Sequence, residues 1–216
     1  MNFEPSSGSP GGEAESQDRQ PGRSWNAYLD RRPFVVAIAG PNGAGKTTFY
    51  ESHLKSCGLR FLNADVLAGA LETGPYEAAR MAAALREELV RQRESFIFET
   101  VFSDPVGDKL SFLERAAQAG YAVVLCFIGI ANVSVSEQRV AMRASQGGHN
   151  VPAEKLIQRF PRTMANLAAA IRDLPCVLVF DNNDLDTPFR RGAVCMKGRR
   201  VEWNEPIPEW FSRVLG

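Results

Sequence analysis

The residues that follow the apolar run 34–39 have the spacing of a phosphate-binding loop, and they match the pattern G-x-x-x-x-G-K-[ST] at every specified position. In such loops, glycines let backbone N–H groups surround phosphate oxygens, and the following helix directs its positive end at the same anion. The lysine adds a charge for the β- and γ-phosphates, and the hydroxyl residue offers a ligand to Mg²⁺. We therefore expect a nucleotide to bind Gly40, Pro41, Asn42, Gly43, Ala44, Gly45, Lys46, Thr47 and Thr48, with Thr47 as the metal ligand.

Two acidic residues follow predicted strands further along the chain. Asp65 ends the stretch 58–65, and Glu99 stands beside Thr100 at the end of an apolar run. Because ligands bind outside the carboxyl ends of an open parallel sheet, both acids should lie at the same edge as the phosphate loop. An aspartate there can accept a proton from a substrate hydroxyl. Asp65 could also cap the next helix, and Glu99 could instead form an ion pair with an arginine.

Arginine pairs distinguish the segment from about 134 to 170. Arg139 and Arg143 are four residues apart in one predicted helix, and Arg159 and Arg162 are three apart in the next, so each pair shares a helix face. A glycine-rich break separates the two helices. We expect a mobile helical lid whose guanidinium groups neutralise the charge of a transferring phosphoryl group. Ordinary arginines on solvated helix faces are the alternative.

These residues must be positioned by alternating strands and helices. The alternation predicts the α/β class, with a doubly wound five-stranded parallel sheet of the P-loop NTPase or kinase fold, a helical lid and a C-terminal hairpin. The residues 181–183 suit a loop near the adenine better than a metal-binding acid. The five strands are predicted at 34–39, 58–65, 95–100, 121–130 and 176–180.

Three local predictions concern the connecting segments. The helix predicted over 76–93 has Ala79, Ala83, Leu85 and either Leu89 or Val90 on its inner face. The sequence 103–105 (Ser-Asp-Pro) predicts the start of the helix that ends at Gly120. For His149, in the break between the lid helices, a hinge hydrogen bond is favoured over a role as base or ligand.

The composition limits the remaining possibilities. Lys plus Arg and Asp plus Glu number 25 each, so the net charge favours neither a nucleic-acid nor a membrane partner. The four cysteines lack the spacing of a zinc site or a disulfide framework. Residues 1–24 have the composition of a disordered leader, residues 25–216 suit a single domain, and a cytoplasmic location is the default expectation.

The order of these pieces resembles the zeta-toxin family of small P-loop kinases, and in particular a branch that contains a G-G-H sequence. The resemblance covers roughly residues 34–183. Its motifs are the loop 40–48, the sequences 63–65 (Asn-Ala-Asp) and 98–100 (Phe-Glu-Thr), and the run 147–152 (Gly-Gly-His-Asn-Val-Pro) between arginines. The phosphate loop is common to many families, whereas the G-G-H run is much more selective.

The resemblance implies an ATP- and Mg²⁺-dependent kinase that phosphorylates a hydroxyl of a small molecule, as zeta toxins phosphorylate UDP-N-acetylglucosamine, together with a small antitoxin partner. Lys46 and Thr47 would hold phosphates and magnesium, and Asp65 would act as base. Glu99 and Thr100 would contact the acceptor. The clamp on the phosphates would come from arginines beside the G-G-H run, among them Arg139, Arg143 and Arg159. The alternatives are an ATPase or nucleotide-dependent switch, or a kinase for another metabolite.

Overall fold

Strands and helices alternate along most of the chain in the computed structural model, which describes Tyr28 and residues 30–148 and 151–215. The predicted leader, residues 1–24, and His149 lie outside the described residues. The strands are β1 (Phe34–Ala39), β2 (Arg60–Leu62), β3 (Phe96–Thr100), β4 (Ala122–Gly129), β5 (Cys176–Asp181), β6 (Arg190–Met196) and β7 (Arg199–Trp203).

The described strands form one sheet in the order β2-β3-β1-β4-β5-β6-β7. Strands β1 to β5 are parallel, which confirms the predicted five-stranded parallel sheet. The predicted C-terminal hairpin is also present, but it is not separate from the sheet. Strand β6 pairs antiparallel with β5, and β7 pairs with β6, so the hairpin extends the sheet to seven strands.

Helices cover the sheet, as the pattern of βαβ units requires. Helix α1 continues through a π-helical turn, Tyr50–Leu54, and a 3₁₀ turn, Lys55–Cys57. No helix within the described ranges is both long and apolar enough to cross a membrane. The helices are α1 (Lys46–Phe49), α2 (Ala64–Ala70), α3 (Pro75–Arg91), α4 (Asp108–Gln118), α5 (Val133–Ser145), α6 (Ala153–Asp173) and α7 (Glu209–Leu215).

The two central strands explain why the core is so apolar. Every residue of β4 is buried, and so are five of the six residues of β1, because helices pack on both faces of a parallel sheet. Phe98 and Phe127 lie in the core on one face, and Ile38 and Ile128 lie in the core on the other.

The strand order brings the predicted site residues to one edge. Strand β1 lies between β3 and β4, and Ala39 at its end pairs with Thr100 of β3 and with Phe127 of β4. The loops after these strands therefore leave the sheet side by side. This is the position where open α/β sheets bind ligands.

Two helix predictions were wrong in detail. Helix α4 begins at Asp108 after Gly107, and residues 103–105 belong to a loop, because that loop follows the carboxyl end of β3 before the chain turns back. On α3 the buried positions are Ala78, Ala82, Arg86 and Leu89. Leu89 is buried as predicted, whereas the other predicted positions lie one residue away from the buried ones. A buried arginine on an apolar face has no signal in a hydrophobic pattern.

Candidate active site

The phosphate loop connects β1 to α1, and its shape depends on glycine. Gly40, Gly43 and Gly45 all have positive φ angles, of 145°, 74° and 90°. A Cβ atom on Gly40 would lie 2.1 Å from the carbonyl oxygen of Ile128 in β4. A side chain at this position would therefore force the loop away from the sheet.

Lys46 is buried at the first position of α1. Its side chain is 6% exposed, and its Nζ donates a hydrogen bond to the carbonyl of Pro41 at 3.0 Å. The Nζ lies 3.9 Å from Glu99 Oε1. Desolvation lowers the pKa of Lys46, while the charges of Glu99 and Asp65 act in the opposite direction. A desolvated ammonium group inside the loop is suited to an anionic ligand.

Glu99, near the end of β3, contacts both the end of the phosphate loop and the residue that follows β2. Its Oε2 accepts hydrogen bonds from Thr47 Oγ1 at 2.8 Å and from Asn63 Nδ2 at 2.9 Å. The expected alternative, an ion pair with an arginine, is not what the structure has, because the basic partner within 4 Å is Lys46. Thr100 accepts a hydrogen bond at Oγ1 from the backbone N–H of Phe102 at 3.0 Å.

Asp65 lies in the first turn of α2, beyond the end of β2. Asn63 caps this helix, because its Oδ1 accepts from the backbone N–H of Asp65 at 2.8 Å. The suggestion that Asp65 itself is the cap was therefore wrong. With the capping position filled by Asn63, the Asp65 side chain lines the same cavity as Lys46 and Glu99.

This main cavity, of about 520 Å³, opens between the phosphate loop and the lid helices. The phosphate loop and α2 provide one wall, the loop after β3 provides another, and α6 with the end of α5 provides the third. The lid contributes three arginines to the lining. The predicted residues that line it are Asn42, Gly43, Lys46, Asp65, Glu99, Thr100, Arg143, Arg159 and Arg162.

Arg139 lies elsewhere, which differs from the prediction that it faces the transferring phosphate together with Arg143. Its Nη1 donates to the carbonyl of Asn182 at 2.8 Å and its Nη2 donates to that of Asn183 at 3.1 Å. Arg139 is one turn before Arg143 on α5 and packs against Gly43, where a Cβ would lie 3.1 Å from Arg139 Cβ. It therefore lies on the other side of the phosphate loop.

A second cleft, of about 510 Å³, lies on this side of the loop. Desolvation lowers the pKa of Arg139 there, although Asp181 opposes the shift. The prediction of a loop over residues 181–183 was wrong for Asp181, which is the last residue of β5, whereas Asn182 follows the strand and lines this cleft. A place near the adenine stays a prediction. The cleft is lined by Gly43, Gly45, Thr48, Ser52, His53, Arg139, Met142, Asn182, Leu185, Pro188 and Phe189.

Two polar residues that the sequence did not reveal hold the phosphate loop from outside. Asn182 is 4% exposed; its Nδ2 donates to the carbonyl of Ala44 at 2.8 Å, and its Oδ1 accepts from the N–H of Phe189 at 3.2 Å. Ser136 on α5 donates through Oγ to the carbonyl of Asn42 at 2.7 Å. Single Ser and Asn residues have no sequence pattern that indicates such contacts.

Further charged residues at the cavity were also missed. Asp104 and Lys109 line the wall after β3, and Lys155 on α6 lies 6.0 Å from the ring centre of Tyr76 on α3. Asp104 had a usable signal, because it follows the carboxyl end of a predicted central strand. Asp104 was not predicted as a site residue, because residues 103–105 were interpreted as the start of a helix.

The oxygen atoms around Thr47 are suitable for a magnesium ion. Thr47 Oγ1 and Glu99 Oε2 are hard ligands at the end of the phosphate loop. Among the described residues, no group of three or more His, Cys, Asp and Glu residues could hold a metal. The Thr47 and Glu99 oxygens fit Mg²⁺ because this ion prefers oxygen ligands, takes few of them from protein and completes its coordination with phosphate and water.

Comparison with known proteins gives independent information about the chain. The Zeta toxin family model matches residues 70–190, a segment that begins after the phosphate loop and contains Glu99 and the lid arginines. No curated protein sequence matched the chain.

Solved structures share the fold at low sequence identity. The AvrRxo1-ORF1:AvrRxo1-ORF2 complex, solved with sulphate ions and with ATP, matches with a TM-score of 0.66 and 17% identity over 88% of this chain. The chain covers 66% of the matched chain in that complex. A structure of the PezAT toxin-antitoxin system of Streptococcus pneumoniae matches with a TM-score of 0.56 and 15% identity, over 90% of this chain and 91% of the other.

The family match extends over more than half of the 216 residues. The phosphate loop before it and the strand order β2-β3-β1-β4-β5 are separate observations that agree with this match. The chain therefore belongs to the zeta-toxin family and has the P-loop kinase fold.

Proposed function

We propose that this protein is an ATP-dependent kinase that transfers the γ-phosphoryl group to a hydroxyl of a small acceptor. One observation carries the proposal: a single cavity has Lys46 and Asp65 on one wall and the arginines of the lid on the other. Phosphoryl transfer depends mainly on positioning and on stabilising negative charge. A cavity that joins a phosphate loop to a carboxylate and to several guanidinium groups meets both requirements.

The donor half of the reaction rests on the phosphate loop. Backbone N–H groups of residues 42–48 and the Lys46 ammonium would hold the ATP phosphates, and the second cleft beside Arg139 would take the adenosine. The AvrRxo1 complex, which shares the fold, has been solved with ATP. Thr47, with Glu99 behind it, would hold Mg²⁺. When bound, this ion supplies charge neutralisation between the β- and γ-phosphates.

The acceptor half rests on Asp65, Glu99 and Thr100. The acceptor hydroxyl oxygen would attack the γ-phosphorus, a new P–O bond would form, and the bond to the β–γ bridging oxygen would break. The hydroxyl proton would pass to Asp65, which acts as general base. Arg143 and Arg159 would stabilise the charge on the transferring group, with Arg162 beside them.

The charge of the cavity suggests which acceptors to test first. Its lining contains six cationic side chains and three acidic ones within the described residues, although the net charge of the chain is zero. The ATP phosphates would occupy Lys46 and the lid arginines, which leaves Lys109 and Lys155 for the acceptor. We therefore propose an acceptor that carries phosphate of its own, such as a nucleotide sugar. UDP-N-acetylglucosamine is the first compound to test. The cations are Lys46, Lys109, Arg143, Lys155, Arg159 and Arg162.

The test uses ATP labelled in the γ-phosphoryl group, offered with UDP-N-acetylglucosamine and separately with a cell metabolite extract. The wild type and a Lys55→Ala control, which changes an exposed lysine, should move the label onto an organic product that mass spectrometry identifies. Lys46→Ala should form no labelled product. Release of inorganic phosphate alone, with every acceptor offered, would instead identify an ATPase and refute the kinase proposal.

A protein partner forms a separate part of the proposal. The matching structures include a toxin-antitoxin system and the AvrRxo1-ORF1:AvrRxo1-ORF2 pair. We propose that a small antitoxin binds this chain and blocks its nucleotide site. On this proposal, expression of the chain alone should inhibit growth. Co-expression with the protein encoded next to it should suppress that inhibition and give a complex that no longer binds ATP. Growth inhibition that persists with the neighbour present would contradict this part alone.

A further inference from the structure

We infer that Asp104 and Lys109 form a recognition pair for the acceptor, and that they select a sugar or polyol with neighbouring hydroxyl groups. The inference depends on the proposed kinase function, whose acceptor half it makes more specific. The pair lies in the loop after β3 and at the start of α4, on the cavity wall that also holds Thr100.

Asp104 has an oxygen atom with unused bonding capacity. Its side chain is 8% exposed, and its Oδ2 accepts from the backbone N–H of Lys109 at 3.3 Å. Its Oδ1 is buried and has no hydrogen-bond partner among the described residues, and Lys109 Nζ is 3.8 Å away. Buried carboxylate oxygens normally accept hydrogen bonds, since leaving them without donors costs free energy. A ligand that supplies a donor would remove this cost.

The part of α6 that packs into the core, from Thr163 onward, holds the backbone of this wall in place. Asn166 on α6 donates through Nδ2 to the carbonyls of Phe102, at 2.9 Å, and Asp104, at 3.1 Å. Thr163 donates to the carbonyl of Val101 at 3.0 Å. The Asp104 carboxylate is therefore presented from a fixed backbone, as a recognition group must be if it is to discriminate between ligands.

A purely structural role accounts for only part of this arrangement. Arg86 is buried behind the wall, with its guanidinium 5.0 Å from the ring centre of Phe98, and it experiences the charge of Asp104. The positive charges of Arg86 and Lys109 together stabilise the negative charge of Asp104. Charge balance alone, however, would not leave Oδ1 without a donor in a residue that lines the cavity.

The two groups have complementary hydrogen-bonding capacity. An ionised carboxylate only accepts, and an ammonium only donates. One hydroxyl of a 1,2-diol can donate to Asp104 Oδ1 while the oxygen of the next accepts from Lys109 Nζ. A monohydric alcohol satisfies only one of the two groups, so the pair favours a polyhydroxylated acceptor.

The experiment measures transfer to the acceptor identified by the labelled-ATP assay above. Asp104→Asn should raise the KM for that acceptor about ten- to hundredfold, because the amide oxygen would keep the bond to the backbone N–H of Lys109 and the NH2 group, which cannot accept, would take the place of Oδ1. The KM for ATP should change less than twofold. Asp108→Asn makes the same substitution at an exposed position of α4 and should leave both constants unchanged.

A deoxy analogue of the acceptor separates recognition from folding. Removal of the hydroxyl that binds Asp104 should raise the acceptor KM of the wild type. Asp104→Asn should instead have the same KM for the analogue and for the parent compound. Thermal melting of Asp104→Asn and Asp104→Glu checks that the variants are folded, and a correctly folded Asp104→Glu should not restore the KM.

The two levels of the proposal fail in different ways. If the wild type transfers phosphate to no acceptor, the kinase proposal fails and this inference fails with it. If transfer occurs and Asp104→Asn keeps the wild-type KM, or still distinguishes the deoxy analogue, only the role of Asp104 and Lys109 is refuted.

Discussion

Thr47 Oγ1 donates a hydrogen bond of 2.8 Å to Glu99 Oε2, and this contact joins the phosphate loop to the strand beside it. Glu99 was expected to contact the acceptor, yet its carboxylate lies against the hydroxyl that is expected to bind magnesium. The same oxygen also accepts from Asn63. Glu99 is thus in a position to orient the Thr47 hydroxyl.

Glu99→Gln tests this relationship. A glutamine oxygen can accept from Thr47 or from Asn63, but the amide lacks the charge that orients both donors. In the proposed reaction, half-maximal activity should then require about ten to a hundred times more Mg²⁺, as when groups that orient metal ligands are changed. A magnesium titration of initial rates measures the effect. Glu87→Gln, on the exposed surface of α3, is the control, and equal magnesium curves for both variants would contradict the assignment.

Asp65→Asn tests the proposed general base. The amide cannot accept the hydroxyl proton, so turnover should fall about a hundred- to ten-thousandfold. Binding of ATP should not change, because Asp65 belongs to α2 and not to the phosphate loop. Single-turnover rates and equilibrium binding of ATP measure the two properties separately. Full turnover in the variant would exclude Asp65 as the base.

The two arginines of α5 should have separable effects. The planar guanidinium of Arg139 donates to the backbone carbonyls of both Asn182 and Asn183, which a lysine ammonium cannot reproduce. In Arg139→Lys the KM for ATP should therefore rise about tenfold with little change in kcat. Arg143→Lys, in the main cavity, should lower kcat about a hundredfold or more. Steady-state kinetics with ATP varied at a saturating acceptor concentration gives both constants. The same kinetic defect in both variants would show that the two cavities do not have separate roles.

Burial of three cysteines predicts that the free energy of unfolding decreases at alkaline pH. Burial raises the pKa of Cys176 to about 12 and that of Cys195 to about 11, from 9.0, and raises that of Cys126 further. Above pH 9, thiols of the unfolded chain lose protons that the folded chain keeps, so stability falls as pH rises, by about 1.4 kcal/mol per thiol and pH unit. Urea unfolding at pH 8 and pH 10 measures the change.

Reactivity with a thiol reagent provides a second measurement of the same property. At pH 8 the native protein should have one rapidly reacting thiol, the exposed Cys57, and the denatured chain should have four. Fast reaction of further thiols in the native protein would contradict the described burial of Cys126, Cys176 and Cys195.

The parts that could be predicted from sequence are those with a strong local pattern. The phosphate loop, the apolar strands and the two lid helices each depend on the spacing of a few residues, and the structure contains them all. The residue that caps α2 could not be predicted, because Asn63 and Asp65 are both good capping residues and only the fold shows that Asn63 is the cap.

Other site features depend on contacts between distant parts of the chain. Arg139 and Arg143 have the same spacing as any pair on a helix face, and only the position of the phosphate loop between them directs them to different cavities. The bond from Asn182 to Ala44 joins residues 138 positions apart. Nothing in the local sequence around either residue indicates it.

That bond has a consequence for how a nucleotide is recognised. One amide side chain binds both the loop that surrounds the phosphates and the segment that lines the second cleft, through Ala44 and Phe189. Neither loop can move far without breaking a hydrogen bond of Asn182. With the adenosine in the second cleft, as proposed, Asn182 would link the binding of the phosphates mechanically to the binding of the base.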